Sequence, residues 1–263
     1  VASWEHLVER GADVRPKGSD HAEGEVLIAA GTELRAWDVG LLATAGAATA
    51  TVRRRPRVIV VSTGDELSLS RGGDQNQQNS EDFLYNESCM IFDANRPGLM
   101  TLCRDSGADV VDGGVMRDRR DELAAALKKA LDDDDDLAQT QTRTDVVVVS
   151  GGASGGRADF ADAAFKDAGV TLHFASLRMK PGKPTKFGTT SKGQLVFALP
   201  GNPVSALVTC ELLVVPALRK LRGFRDVDCL PSQVLCRLDH DVLLDPGRPE
   251  YRRVTLTWDS DDD

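Results

Sequence analysis

Val146-Val147-Val148-Val149 runs without interruption into Ser150-Gly151-Gly152. Consecutive β-branched residues favour extended backbone, and a strand with no polar face must be covered on both sides. A mostly parallel sheet between two layers of helices meets that condition. The signature recurs at Arg57-Val58-Ile59-Val60-Val61, which ends in the polar turn Ser62-Thr63-Gly64-Asp65-Glu66. Strands are expected at Asp109 to Val115, Leu172 to Ser176 and Gln194 to Ala198. Helices are expected from an Asp93-Ala94-Asn95 cap to Ser106, and at Ala158 to Asp167 and Pro203 to Val214. A further helix is expected at Arg120 to Leu131, where Leu123, Leu127 and Leu131 share one face. The alternation predicts the α/β class: a three-layer α/β/α domain over residues 56–225, flanked by small β-rich modules.

The first module, residues 1–55, reads as a strand at Glu25 to Ala29, a short helix at Trp37 to Ala45 and a strand at Thr49 to Arg53. The second, residues 226–263, reads as the start of a β module with alternating stretches at Gln233 to Leu238 and Arg253 to Trp258. Two aperiodic polar stretches, about 68–88 and 132–144, read as flexible inserts. The aspartate run Asp132 to Asp136 in the latter reads as solvated rather than as a cation site.

The net charge of −9 in 263 residues leaves no general basic face for nucleic acid, so any anion site is local. No apolar run reaches the roughly 18–20 residues that span a bilayer, and no secretory segment opens the chain. The cysteines Cys89, Cys103, Cys210, Cys229 and Cys236 are odd in number and form no CxxC pair. They indicate a reduced, cytoplasmic compartment. His6, His21, His173 and His240 lack metal-ligand spacing. The chain opens on Val1 rather than Met, which reads as a fragment of a longer protein.

Three turns between Ser150 and Ser205 carry the chemistry: SGGASGGRAD (Ser150 to Asp159), MKPGKP (Met179 to Pro184) and LPGNPVS (Leu199 to Ser205). Glycine lets backbone approach a ligand, and successive N–H groups at a strand-to-helix turn make an anion nest. Gly151 and Gly156 have P-loop separation, but Arg157-Ala158 replaces the Lys-Ser/Thr that ATPases need. What remains is an anion nest with Gly152, Ser154 and Asp159. Lys180 and Lys183, flanking Pro181-Gly182, suit an oxyanion clamp. Pro200-Gly201-Asn202-Pro203 starts a helix with Ser205 in its first turn. Asp65 and Asp93 offer hard oxygen ligands at strand ends, the type Mg²⁺ takes.

Together with Ser62 to Leu67 (STGDEL) and Asp93 to Asn95 (D-x-N), this ordered set resembles the molybdopterin molybdenumtransferase family, which includes the E domain of gephyrin. The resemblance continues through Gly31 to Leu34, Val39 to Leu42 and Pro249 to Arg253. It implies insertion of molybdate into the dithiolene of adenylated molybdopterin with release of AMP, assisted by Mg²⁺, in molybdenum cofactor biosynthesis. By position in the motifs, Ser154, Lys180, Lys183, Ser205 and Arg253 contact the pterin phosphate or molybdate, with Gly152, Pro181, Gly182, Pro200, Gly201 and Asn202 completing the binding turns. Asp65, Asp93 and Asp159 hold Mg²⁺ or position water, and Asp159, Asp65 and Lys183 are the catalytic candidates. The family works as a homodimer, and a molybdopterin adenylyltransferase domain or protein is an implied partner. Departures are Gly155-Gly156-Arg157 in the nest and the absence of the family's N-terminal substrate segment and of most of its C-terminal β module. The competing readings are molybdopterin adenylyltransferase itself and a gephyrin-like receptor-clustering scaffold without catalysis.

Overall fold

The computed structural model describes residues 11–68, 91–132, 143–152 and 158–258, the side chains of residues 158 and 159 excepted. It falls into two compact units, Val1–Val52 and Arg53–Asp263. The expected inserts lie largely outside the described residues.

In the first unit, helix α1 (Ala36–Thr44) starts where the Asp38 carboxylate accepts the Arg35 N–H at 2.8 Å. A carboxylate in the first turn satisfies a donor that has no partner within the helix. The strands expected at Glu25 to Ala29 and Thr49 to Arg53 are absent; both stretches are irregular. Val26 and Val52 lie exposed, and an extended segment without a neighbouring strand leaves its backbone groups to water.

The second unit is built on strands β1 (Arg57–Thr63), β4 (Asp109–Met116), β5 (Val146–Ser150), β6 (Val170–Phe174), β7 (Lys186–Thr190) and β8 (Leu195–Leu199), in the order β4-β1-β5-β8-β7-β6. The pairs β1–β4, β1–β5 and β5–β8 are parallel; β7 runs antiparallel to both neighbours. Two short strands, β2 (Leu67–Ser68) and β3 (Ile91–Phe92), pair separately.

The valine run explains the layering. Val146 and Val148 pack with Leu99, Cys103, Cys210, Val214 and Leu218, from α2 (Asn95–Asp105) and from the helical turns that continue α5 (Pro203–Thr209). Val147 and Val149 pack on the opposite face with Leu123, Leu127, Ala161 and Phe165, from α3 (Arg120–Leu131) and α4 (Ala158–Asp167). Alternate residues thus feed two cores, the period-2 geometry of a strand covered on both sides.

Several elements of this unit differ from expectation, and β6 lies two residues earlier than the expected Leu172 to Ser176. Strand β7 was not expected, because Lys186-Phe187-Gly188-Thr189-Thr190 has no apolar run. Its place is set by the turn in which Thr190 N–H donates to Gln194 O and Gly193 N–H to Thr190 O. The helix expected to end at Val214 instead widens into a π turn at Cys210–Val214 and continues as α6 (Val215–Arg222) to Gly223, where φ is +93°. Pro216, which brings no N–H, follows directly after that π turn. A final turn, α7, covers Asp226–Cys229. Gln233 to Leu238 and Arg253 to Trp258 form no strand, since their apolar side chains face solvent with no strand beside them.

Truncating Phe165, 1% exposed, is expected to cost about 3–5 kcal/mol through the cavity left between α4 and the sheet. Leu207→Ala, on the exposed side of α5, should stay within about 1 kcal/mol. Urea denaturation of both variants checks the contrast.

Candidate functional site

Strands β1, β5 and β8 lie side by side and parallel, so their carboxyl ends open on one rim of the sheet. The chain leaves β1 for β4 on one side and returns to β5 on the other, which makes a crevice between β1 and β5. Ligands bind outside the strand ends at such a switch point. Here the turns are pressed together. A Cβ on Gly151 would sit 2.1 Å from the Thr63 carbonyl oxygen, and one on Gly152 would sit 2.9 Å from Thr63 Oγ1. Gly151 adopts φ +96°, and its N–H donates to Leu199 O at 3.2 Å. Only glycine combines that backbone with that approach.

Asn95, at the start of α2, ties the rim together. Its amide nitrogen donates to Ser150 Oγ at 2.8 Å and to Gly201 O at 2.7 Å. The carbonyl partner accepts only, so the amide orientation is fixed by chemistry. The other side, Asn95 Oδ1, is buried without a hydrogen bond, and so is Thr63 Oγ1. Buried polar atoms without partners are costly. The rim therefore holds an amide acceptor and a hydroxyl that have no partner within the protein. Neither residue was singled out individually from sequence, although both lie inside the STGDEL and D-x-N motifs.

Asp93 differs from the expected free carboxylate. Its side chain is 3% exposed. Its oxygens accept Ser62 Oγ–H at 3.1 Å, the Arg96 N–H at 3.1 Å and the Arg96 Nε–H at 2.9 Å. Within the expected Asp93-Ala94-Asn95 cap it is the Asp93 carboxylate that accepts from the first turn of α2, and a guanidinium stands where a cation would. Arg96 also pairs with Asp112, which accepts the Gly114 N–H at 2.8 Å. Burial opposes ionisation of Asp112, but the Gly114 N–H and Arg96 outweigh it and hold this carboxyl below its ordinary range. Asp65 lies exposed beyond β1, its Oδ1 accepting the Asp118 N–H at 3.1 Å. Among the described residues no group of three or more His, Cys, Asp or Glu is placed to hold a metal. Ser154 lies outside the described residues. Asp159 is placed in the first turn of α4 with its side chain likewise outside.

Pro200 is buried and Gly201 exposed. Asn202 caps α5 by accepting the Ser205 N–H at 3.3 Å, so the cap is Asn202 rather than the Ser205 hydroxyl. The Met179 to Pro184 turn packs on the far end of α5. Gly182, at φ +108°, lies so close that a Cβ would meet the Thr209 methyl at 2.4 Å. The Lys180–Pro181 peptide is cis. Lys183 is exposed; its carbonyl accepts the Leu177 N–H at 2.8 Å, and its ammonium has no hydrogen bond or ion pair among the described residues. Lys180 instead faces the C-terminal segment. Its N–H donates to Pro249 O at 2.9 Å, and its carbonyl accepts the Tyr251 N–H at 2.7 Å. Arg253 follows two residues later, exposed.

Two substitutions test this geometry. Gly151→Ala should cost at least about 2 kcal/mol, since the clash is with backbone. Arg96→Ala leaves Asp93 buried without its cation and should cost about 3 kcal/mol. Because the folded pKa of Asp112 is depressed, its stabilising share is complete above the unfolded carboxylate pKa and is lost as pH falls through the folded value. Arg96→Ala should therefore flatten the acid limb of the stability profile, measured by denaturation between about pH 3 and 7.

Residues 59–220 match the family described as a probable molybdopterin binding domain, and residues 2–46 match the MoeA N-terminal region (domain I and II). The chain is 33% identical to gephyrin of Dictyostelium discoideum, over 98% of this chain and 37% of that protein. It is 33% identical to a molybdopterin molybdenumtransferase of Nostoc sp., over 95% of this chain and 51% of that protein. The chain thus spans about half, or less, of the length of these curated relatives. The crystal structure of a molybdopterin biosynthesis MoeA protein from Pyrococcus horikoshii superposes with a TM-score of 0.62 at 30% identity, covering 78% of this chain and 45% of that one. With the family match extending over more than half of its residues, the chain belongs to the probable molybdopterin binding domain family.

Proposed function

We propose that the chain acts as a molybdopterin molybdenumtransferase, inserting molybdate into adenylated molybdopterin with release of AMP. One observation carries the reading most: the turns after β1, β5 and β8 meet at the switch point, where Thr63 Oγ1 and Asn95 Oδ1 are buried without partners. A ligand with N–H or O–H groups, such as a pterin or a nucleotide, satisfies them. The similarity to relatives named for this activity agrees.

In this reading the oxyanion lies on the Met179 to Pro184 turn, where Lys180 and Lys183 supply ammonium donors. Arg253, Ser205 and Ser154 add hydrogen bonds. Charge-assisted bonds suit a tetrahedral dianion. Pro181 and Gly182 shape that turn, while Gly152, Pro200, Gly201 and Asn202 shape the crevice rim. Mg²⁺ commonly keeps its waters and takes one or two carboxylates with substrate phosphates. Asp65 and Asp159 fit that donor set, whereas Asp93, already bound by Arg96 and Ser62, serves to hold the D-x-N turn. The ion would offset charge on the departing phosphate. Asp65 and Asp159 would orient water toward the adenylate linkage, and Lys183 would hold the incoming oxyanion. Pairing as a homodimer, and with an adenylyltransferase that supplies the substrate, completes the reading.

AMP release from adenylated molybdopterin in the presence of molybdate and Mg²⁺ tests the proposal. Lys183→Ala and Asp159→Ala should each lower the rate by about 100-fold or more. Wild-type rates in both variants would overturn the assignment.

A further inference from the structure

The two lysines of the MKPGKP turn are not equivalent. The Lys183 ammonium has no partner among the described residues, whereas the Lys180 ammonium lies 3.3 Å from Glu250 and 3.9 Å from Asp245. The carboxylates are the fixed side of this contact. Their side chains are 12% and 14% exposed, against 45% for Lys180. Each also has its own guanidinium, Arg252 at 3.1 Å from Glu250 and Arg248 at 2.7 Å from Asp245. Asp245 further accepts the N–H groups of Gly247 and Arg248 at 3.0 and 3.1 Å. Backbone bonds fasten the segment to the turn, through Lys180 N–H to Pro249 O and Tyr251 N–H to Lys180 O. A side-chain bond from Arg178 Nε–H to Gly247 O at 2.6 Å adds to them. Asp245 and Glu250 therefore stay charged and in place without Lys180. The lysine, on a flexible four-carbon stem, is the partner free to swing.

We infer that Asp245 and Glu250 are positioning residues that gate Lys180, docking its ammonium while the turn is empty and yielding it to an incoming oxyanion. The inference rests on the reading of this turn as the molybdate site. Binding becomes an exchange of counter-ions: two singly charged carboxylates give up the ammonium to a dianion with several acceptor oxygens. The exchange keeps the Lys180 ammonium paired until an oxyanion arrives. It also lowers affinity for the oxyanion, which suits a site that must pass its anion on to an acceptor rather than retain it.

Calorimetric titration of the chain with inorganic molybdate tests the gate. Glu250→Gln with Asp245→Asn keeps acceptors for Arg252 and Arg248 while removing both charges from Lys180. Its dissociation constant should fall about three- to tenfold. In a Lys180→Ala background the same pair of changes should give at most about a twofold gain, because the exchange has no ammonium to release. If the double variant melts early, Glu250→Gln alone carries the test, with an expected gain of about two- to threefold. Unchanged or weaker binding in a variant that melts like the wild type overturns the gate. So does an equal gain without Lys180. Either result leaves the functional reading standing, whereas absence of molybdate binding in the wild type and every variant overturns both.

Discussion

Double-sided burial of β5 organises everything else in the second unit. Val146 to Val149 are 0–1% exposed, each pair of alternate residues entering a different core. A strand so placed needs parallel neighbours and a helix layer on each side, and β1 and β8 supply the neighbours. Their shared direction brings three turns to one rim. The close contact of Gly151 with Thr63 follows, because chains leaving adjacent parallel strands start only about 4.8 Å apart.

The rim is held by polar interactions of unequal kind. Asn95 links the ends of β5 and β8 with neutral hydrogen bonds, which fix geometry without adding charge. Arg96 locks Asp93 and Asp112 through ion pairs, so two carboxylates near the crevice already share a protein cation. Lys186, 3% exposed on β7, pairs with Asp162 of α4 and ties the helix after the glycine turn to the sheet. The Met179 to Pro184 turn and the segment after Tyr251 bring exposed cations, Lys183 and Arg253. That distribution fits a chain whose net charge is −9: attraction is local rather than a property of the whole surface.

Legibility from sequence followed the strength of the local signal. Continuous β-branched runs and the leucine spacing of α3 reported true elements, since each of those patterns pays off in one geometry only. Alternation failed at Gln233 to Leu238 and Arg253 to Trp258, where the pattern is present but no strand lies alongside. Strand β7 failed in the opposite sense. Its residues look like loop, and its pairing comes from a turn and from neighbours on both sides. In the site, motifs located the turns, but they did not separate an exposed carboxylate such as Asp65 from the buried, Arg96-bound Asp93.

Residue types and their order by themselves determined the α/β class, the glycine-bearing turns at strand ends and the lysines of the MKPGKP turn. Those features are local, written in side-chain shape and backbone freedom over a few residues. Tertiary structure decided which polar groups are satisfied: the unpartnered Asn95 Oδ1 and Thr63 Oγ1, the guanidinium on Asp93, and the carboxylates on Lys180. Partners in those contacts come from up to 70 positions away, as between Lys180 and Glu250. Charge and hydrogen bonding act through distance in space, and only the folded chain sets that distance.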